Sequence, residues 1–316
     1  RQIVVAIYNA EEYIGNCLDM LTRQTLKNIE IICVDDGSVD GSLEMLQAYS
    51  SRDERIRVFT EENKGAGAAR NRGLTEATGK YMLFLDCDDF FEPDMVQLAY
   101  GKAEEQGAEI VIYKSDQYNM DSGEFVYENW AMMEWALPPY EPFGYRQIST
   151  NIFKAFVGWA WDKLYLRAFV AKNDLKFQEQ RTTNDALFVF SALVLAEKIS
   201  TVRKILIHRR VDTADSLSKT REKSWDNFYR MLLALRQFLK DREKWNELEK
   251  DFVNYALHFS LWNYNTLAEP TKTKLRNKLV SEWFEELGIR QRHKEYFYDE
   301  YEYSQYEAML KLQDTP

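Results

Sequence analysis

The chain begins with four apolar segments of strand length, and each of them ends in a cluster of polar residues. The segments span residues 3–7, 29–34, 56–60 and 81–85. Helical patterns separate them at a spacing of about 25 residues, which is typical of an open, mostly parallel α/β sheet. Such a sheet binds ligands outside the carboxyl ends of its strands. The pattern therefore predicts a ligand site where the four polar clusters meet.

The fourth polar cluster places three carboxylates on one tight loop, Asp86-Cys87-Asp88-Asp89. Like charges this close repel one another, and each raises the pKa of its neighbours unless a cation lies among them. Asp86 and Asp88 are therefore candidate ligands for Mg2+ or Mn2+, which would also bind phosphate oxygens and neutralise a leaving diphosphate. The alternative is an acidic loop that caps the next helix, and the position after a buried strand favours the metal site.

The third cluster contains Asn63 and Lys64 and leads into a helix of small residues. Its sequence, Gly65-Ala66-Gly67-Ala68-Ala69-Arg70, lacks the third glycine of a dinucleotide fingerprint and follows the third strand instead of the first. Backbone N–H groups at the helix start, together with Lys64, Arg70 and Arg72, suit a phosphate or ribose. Small residues are also expected wherever a helix packs closely on a sheet, and both interpretations can hold together.

The first two clusters offer groups that could hold a nucleotide base. The carboxylate of Asp35 can accept a hydrogen bond from a ring N–H, and the phenol ring of Tyr8 can stack on the base. Core packing is the alternative for Tyr8. Asp36-Gly37-Ser38 also has the composition of a turn.

The middle of the chain is less regular. Residues 123–144 show no period and are predicted to form a loop or a poorly regular insertion. Residues 205–208 predict one more short strand that ends at His208, a structural histidine by default. Trp159 and Trp161 are candidates for core packing or for the border of a sugar pocket, because pyranose rings stack on aromatic faces.

A helix is predicted to begin near residue 185. Thr182 or Thr183 is a candidate cap, and a carboxylate at Asp185 in the first turn suits the helix dipole. By local sequence alone, Asp185 is either such a helix-start residue or a chemical group of the site. Beyond about residue 216 only helical patterns remain.

Composition narrows the classes of protein that fit. The net charge is −10, from 51 acidic and 41 basic residues, which argues against a basic nucleic-acid-binding face. Cys17, Cys33 and Cys87 show no Cys-x-x-Cys spacing, so neither a disulfide framework nor a zinc site is expected. The longest apolar run, residues 187–196, is too short to span a bilayer. These features predict a cytoplasmic protein.

Four ordered motifs resemble those of the family-2 glycosyltransferases with the GT-A fold. They read Val5-Ala6-Ile7-Tyr8-Asn9-Ala10, Val34-Asp35-Asp36-Gly37-Ser38, Asn63-Lys64-Gly65-Ala66-Gly67-Ala68-Ala69-Arg70-Asn71-Arg72-Gly73 and Phe84-Leu85-Asp86-Cys87-Asp88-Asp89. The resemblance is strong over residues 1–115 and moderate over 155–220. It implies a GT-A catalytic domain at 1–215, with a nucleotide-sugar half to about 115 and an acceptor half at 116–215, followed by a helical region at 216–316.

The resemblance also implies roles on the donor side. Tyr8 and Asp35 match positions that hold the base, and Arg70 matches a position on the nucleotide side. Asp86 matches a position near the ribose and the metal, and Asp88 matches the principal metal ligand. Binding of a UDP-sugar together with Mn2+ or Mg2+ is therefore expected.

On the acceptor side, Asp185 stands where the family places its general base. Asn184 precedes it where glutamate is common, and Ala6 replaces a usual proline. His208 matches a position often near the diphosphate and is grouped with the metal site. The implied mechanism is a single inverting displacement, in which Asp185 takes the proton of the acceptor hydroxyl and the metal stabilises the departing UDP.

The expected reaction moves a hexose or N-acetylhexosamine to a hydroxyl of a polysaccharide, lipid-linked or protein-bound glycan. A nucleotidyltransferase with the same metal carboxylates is an alternative, and a non-catalytic glycan-binding protein is another. The C-terminal helices are candidates for a homodimer interface. A peripheral contact at the inner face of a membrane is possible through four basic residues: Lys272, Lys274, Arg276 and Lys278.

Overall fold

The computed structural model describes residues 1–211, 217–290 and 292–311. The chain forms two compact units, of which the first comprises Arg1–Thr150 with Ala155–Ser216 and the second comprises Asn151–Lys154 with Leu217–Pro316. The domain boundary predicted at residues 215 and 216 lies outside the described residues.

The first unit contains a nine-stranded sheet flanked by helices. The strands are β1 (Gln2–Ile7), β2 (Glu30–Asp35), β3 (Ile56–Thr60), β4 (Tyr81–Asp86), β5 (Phe90–Phe91), β6 (Ile110–Asn119), β7 (Phe125–Tyr127), β8 (Lys163–Leu166) and β9 (Ile199–Val211). The first helices in chain order are α1 (Glu11–Thr22), α2 (Ser42–Ser50), α3 (Ala66–Glu76), α4 (Met95–Gln106), α5 (Ile152–Ala155), α6 (Arg167–Lys172) and α7 (Ala186–Leu195).

The sheet has the order β3-β2-β1-β4-β8-β6-β9-β5, with β7 paired to β6. The four strands β1 to β4 are mutually parallel, and their register sets Ile7 beside Asp35 and Ala6 beside Asp86. The carboxyl ends of these strands therefore lie along one edge, as the sequence pattern predicts. Beyond β4 the sheet is mixed, because β8 is antiparallel to both of its neighbours and β9 is parallel to β6.

The parallel strands are apolar on both faces because helices cover both sides of the sheet. Val4, Ile32 and Phe84 are fully buried. A Cβ atom added at Gly73 of α3 would lie 2.2 Å from Val4 Cγ1, so this helix rests directly on β1. Close packing of the small-residue helix, one of its two interpretations, is therefore confirmed.

Three local predictions need correction. Residues 123–144, predicted as a loop or a poorly regular insertion, contain β7, whose three residues are apolar but too few to show a strand period. The short strand predicted at 205–208 is the end of the thirteen-residue β9, in which the exposed Arg203 and Lys204 interrupt the apolar run. Asp185, rather than a threonine, occupies the N-cap of α7.

The second unit is helical, as predicted. Its helices are α8 (Asn227–Asp241), α9 (Trp245–Thr266), α10 (Thr271–Lys278), α11 (Phe284–Glu286) and α12 (Glu300–Lys311). Aromatic contacts hold it together, including Tyr229 stacked 4.0 Å from Trp283. Within residues 1–211, 217–290 and 292–311, none of the helices combines the length and the apolar character that a membrane span requires.

Candidate active site

The ends of β1 and β2 form the first part of the site. Asp35 is 2% exposed, and its Oδ2 lies 3.4 Å from the backbone nitrogen of Ser38. Its Oδ1 is buried and has no hydrogen-bond partner among the described residues. Tyr8 is half exposed at the neighbouring strand end. A buried, unpartnered acceptor beside an open aromatic ring suits a planar base that carries an N–H group.

Asp36 fixes the loop between β3 and α3. Its two carboxylate oxygens accept hydrogen bonds of 2.8 Å from the backbone N–H groups of Lys64 and Gly65. Gly65 has a φ of +93°, which favours glycine. The side chains of Asn63 and Lys64 remain exposed at this strand end. Asp36 therefore joins two strand ends, a role beyond the turn chemistry that its sequence indicates.

Arg70 of α3 links the end of β4 to a distant loop. Its guanidinium is buried and donates to Asp86 Oδ1 and to Asn184 Oδ1, both at 2.7 Å. Its Nε is buried and has no partner among the described residues. Arg70 thus holds together a carboxylate at the end of β4 and the residue next to Asp185.

The loop that carries Asp185 is bonded to α3 by its backbone. Asn71 donates to the carbonyl of Phe177 at 3.0 Å and accepts from its N–H at 2.8 Å. A Cβ added at Gly67 would lie only 2.0 Å from the carbonyl oxygen of Gln178. Only glycine permits this approach, so the glycine-rich motif positions the loop that carries Asp185.

Asp185 lies at the start of α7 and is partly exposed. Burial raises the pKa of its carboxyl above the usual range, and Asp86 raises it further, whereas Arg70 and a hydrogen bond from the backbone N–H of Ala160 oppose the shift. A carboxylate with a raised pKa is a better proton acceptor than an exposed one. The arrangement is therefore suited to general-base catalysis.

The carboxylate triplet is crowded, and Asp89 is buried while Asp86 and Asp88 are partly exposed. Burial and the neighbouring Asp86 raise the pKa of Asp88 to about 6. Burial and the charge of Asp88 raise the pKa of Asp89 well above its usual range, and its Oδ1 accepts a 3.0 Å hydrogen bond from the backbone of Arg210. Charge crowding of this kind is relieved by a bound cation.

The donor set fits an ion that is only partly coordinated by protein. No three metal-binding side chains lie close enough to form a cage in the part of the chain that the structure describes. Two carboxylates, from Asp86 and Asp88, match Mg2+ or Mn2+, which keep waters and take phosphate oxygens as further ligands. Burial and the three carboxylates raise the pKa of the Cys87 thiol, so it remains a protonated and poor ligand.

Two arginines that the sequence analysis did not assign lie beside the triplet. The positive charges of Arg209 and Arg210 both lower the pKa of Asp88. Arg209 also donates to the buried Glu128 at 2.9 Å and lies 5.0 Å from the Trp159 ring centroid. The sequence could have indicated these two arginines as site residues, because both directly follow the predicted strand at 205–208. They place two cationic groups near the carboxylate of Asp88.

His208 lies between two carboxylates. Its Nδ1 is 2.6 Å from Asp116 Oδ1, and its Nε2 is 3.0 Å from Glu92 Oε1. Because both ring nitrogens are engaged, a metal would have to displace one of these contacts. The metal role of His208 stays a prediction.

Trp159 and Trp161 differ in their exposure to solvent. Trp161 is 4% exposed and stacks against Trp159 with ring centroids 4.6 Å apart. Trp159 is partly exposed. Direct contact with a sugar is therefore open to Trp159, whereas the burial of Trp161 favours the core-packing interpretation for that residue.

The loop around Trp159 is held by a buried lysine. Lys163 is completely buried, and its ammonium donates to the carbonyls of Val157 and Trp159 at 2.9 Å and to Asp162 Oδ1 at 2.5 Å. Burial raises the pKa of Asp162 to about 6 and lowers that of Lys163, while the ion pair opposes both shifts. This lysine sets the path of the chain that delivers the Ala160 N–H to Asp185.

Comparison with known proteins gives a consistent result. Residues 2–169 match the model of the family described as "Glycosyl transferase family 2". Over 282 residues the chain is 29% identical to EpsH of Bacillus subtilis (strain 168), which carries the name of a glycosyltransferase; the match covers 88% of this chain and 80% of that protein.

Solved structures share the fold. S. aureus TarS 1-349 in complex with UDP superimposes with a TM-score of 0.65 at 21% identity, covering 96% of this chain and 91% of that one. The same TarS fragment with UDP-GlcNAc gives a TM-score of 0.59 at 20% identity, covering 96% and 91%. A mannosyltransferase of Pyrobaculum calidifontis in complex with GDP-Man and Mn2+ gives 0.53 at 15% identity, covering 98% and 84%.

Proposed function

The chain belongs to glycosyl transferase family 2, and from this premise we propose that it moves a hexose or N-acetylhexosamine from a UDP-sugar to a hydroxyl of a glycan. The proposal includes inversion at the anomeric carbon, dependence on Mn2+ or Mg2+, and action in the cytoplasm. The printed ligands of the structural neighbours, UDP and UDP-GlcNAc in TarS and Mn2+ in the mannosyltransferase, support the donor and the ion.

The observation that carries the proposal is the bridge made by Arg70. One guanidinium, with 2.7 Å bonds to Asp86 and to Asn184, places the carboxylate end of β4 and the start of α7 in one bonded cluster. A transferase needs a leaving-group site and a base on the two sides of one reacting carbon, and this cluster supplies residues for both.

On the donor side, each residue has a separate task. The free Oδ1 of Asp35 accepts from the base N–H, and the Tyr8 ring stacks on the base. Asn63 and Lys64 lie at the adjoining strand end. Asp86 and Asp88 would hold the metal ion, which supplies charge neutralisation for the departing diphosphate. The positive charges of Arg209 and Arg210 add to that neutralisation.

On the acceptor side, Asp185 takes the proton of the acceptor hydroxyl as its oxygen attacks the anomeric carbon. The oxygen–carbon bond forms as the carbon–diphosphate bond breaks, and the electron pair leaves with UDP. The N–H of Ala160 and the charge of Arg70 oppose the rise in the pKa of Asp185, which favours its ionised form.

A thermal-shift screen of nucleotide sugars, with and without Mn2+, tests the donor assignment. We expect UDP and one UDP-sugar to raise the Tm only when Mn2+ or Mg2+ is present, and chromatography to detect UDP as the product. Asp88→Asn should abolish the metal-dependent shift, whereas Glu44→Gln, at an exposed carboxylate on α2, should retain it. Pyrophosphate release from a nucleoside triphosphate would instead identify a nucleotidyltransferase, and a metal-independent shift would contradict the assigned metal site.

A further inference from the structure

A cleft lies beside the loop that carries Trp159 and Trp161, and it has no role in the proposed sugar transfer. Its volume is about 350 Å³, and its lining comes from seven neighbouring residues: Tyr127, Asn129, Trp130, Met132, Met133, Glu134 and Trp135. Three of its aromatic rings are open to solvent, with Trp135 73% exposed, Trp130 48% and Tyr127 42%. So many exposed rings in nine residues are unusual for a surface without a binding partner.

Polar contacts hold the walls of the cleft in place. The Lys114 ammonium lies 2.8 Å from Glu134 Oε1 and 4.4 Å from the centroid of the Tyr127 ring. The Tyr127 hydroxyl donates to the same Glu134 oxygen at 3.2 Å. The lining of the cleft thus combines a carboxylate and a phenol that are bonded to each other with two exposed indole rings.

The cleft adjoins the loop that carries Trp159. The backbone N–H of Val157 donates to the carbonyl of Ala131 at 3.0 Å, which joins the cleft segment to the loop that begins at Gly158. Trp130 meets Trp159 edge to face with centroids 5.3 Å apart. Trp159 lies one residue before Ala160, whose N–H is bonded to Asp185. A molecule in the cleft would therefore lie next to the loop that contains Trp159 and Ala160.

We propose that this cleft binds a pyranose ring of the acceptor chain, at a position beyond the ring that receives the new sugar. A pyranose presents C–H faces that suit indole rings and a rim of hydroxyls that suits the carboxylate and amide of Glu134 and Asn129. The volume is at the lower end of the range for small-molecule pockets and is too small for a peptide helix with a diameter of about 10 Å.

The inference rests on the proposed function and specifies its acceptor. A subsite away from the base contributes only when the acceptor has more than one ring. The acceptor is therefore an oligosaccharide or polysaccharide, and a single sugar binds without the contribution of Trp130 and Trp135.

Indole N–H resonances provide a direct test on the full chain. The resonances of Trp130 and Trp135 are assigned by substitution and followed during titration with α- and β-linked hexose and N-acetylhexosamine oligosaccharides of increasing length. We expect at least one oligosaccharide to shift both resonances, and Trp135→Ala to bind it about tenfold more weakly. Tyr140→Ala removes a ring that is 56% exposed outside the cleft and should bind as the parent chain does. Failure of every oligosaccharide to shift either resonance would overturn the subsite.

Transfer kinetics separate the subsite from the proposed reaction. With an oligosaccharide that shifts the indole resonances as acceptor, Trp135→Ala should raise the KM for this acceptor about tenfold. The same variant should leave kcat and the hydrolysis of the UDP-sugar unchanged. Trp135→Phe should bring the KM most of the way back to that of the parent chain. An unchanged KM in Trp135→Ala would overturn the subsite. Absence of UDP-sugar hydrolysis in the parent chain would instead contradict the proposed function, while the indole shifts still decide on the cleft.

Discussion

The two sides of the candidate site are built by different means. The proposed donor side lies on the ends of four parallel strands, where the carboxylate of Asp36 accepts backbone hydrogen bonds and fixes the loop before α3. The proposed acceptor side lies on stacked indoles, a buried lysine and a short exposed strand. The donor side is therefore determined by backbone geometry, and the acceptor side is determined by side-chain packing.

This difference has a consequence for substrate range. Backbone-fixed loops tolerate few substitutions, so a donor site of this kind is shared among proteins with the same strand ends. Aromatic surfaces exchange one ring for another at small cost in stability. We infer that the acceptor specificity of this chain resides in residues 125–135 and 157–161, outside the motifs that define the donor side.

The strongest test of the division is the base. Asp185→Asn keeps the shape of the side chain and removes its basicity, so transfer should fall about 10²- to 10⁴-fold. Binding of UDP should be unchanged, because the donor side does not depend on this carboxylate. Transfer rates and UDP-induced Tm shifts measure the two effects separately. Equal loss of UDP binding would show that the two sides are not separable.

A second test addresses the buried lysine that holds the acceptor loop. Lys163→Met leaves the carboxylate of Asp162 buried and unpaired, and should reduce the free energy of unfolding by about 3–5 kcal/mol. Adding Asp162→Asn to the Lys163→Met variant should restore part of the lost free energy of unfolding. Lys80→Met is a matched control, because Lys80 is 60% exposed in its pair with Glu104 and should contribute about 0–1 kcal/mol.

Denaturant titration, monitored by tryptophan fluorescence, measures these differences. A loss at Lys163 as small as the loss at Lys80 would mean that the loop is held by its aromatic contacts alone.

The third and smallest test addresses the seam between the two sides. Gly67→Ala places a methyl group on the carbonyl of Gln178 and should reduce the free energy of unfolding by about 1–3 kcal/mol. Because the displaced loop carries Asn184 and Asp185, transfer should fall more than UDP binding does.

Gly101→Ala in α4 is the control for that change. Nothing lies within 4 Å of its added Cβ, so this substitution should stabilise the helix by up to about 1 kcal/mol. Thermal melts of both variants measure the pair. A neutral Gly67→Ala would show that the contact between α3 and the loop does not position the base.

Much of the fold could be predicted from sequence because the four parallel strands are apolar on both faces. β7 could not, since its exposed residues have no apolar alternation, and neither could the length of β9, since charged residues interrupt it. The strand-end residues Tyr8, Asp35 and Asp86 could be placed at one edge by the α/β pattern alone. The link from Arg70 to Asn184 spans 114 positions of sequence and has no local signal. The stack of Trp159 on Trp161 likewise depends on tertiary packing.

The bond between Arg70 and Asn184 also bears on the order in which the site is completed. Donor-side strands β1 to β4 are all present once the chain has been synthesised to Asp86, whereas Asp185 follows about a hundred residues later. Closing so long a loop slows folding, and the base therefore joins the site late.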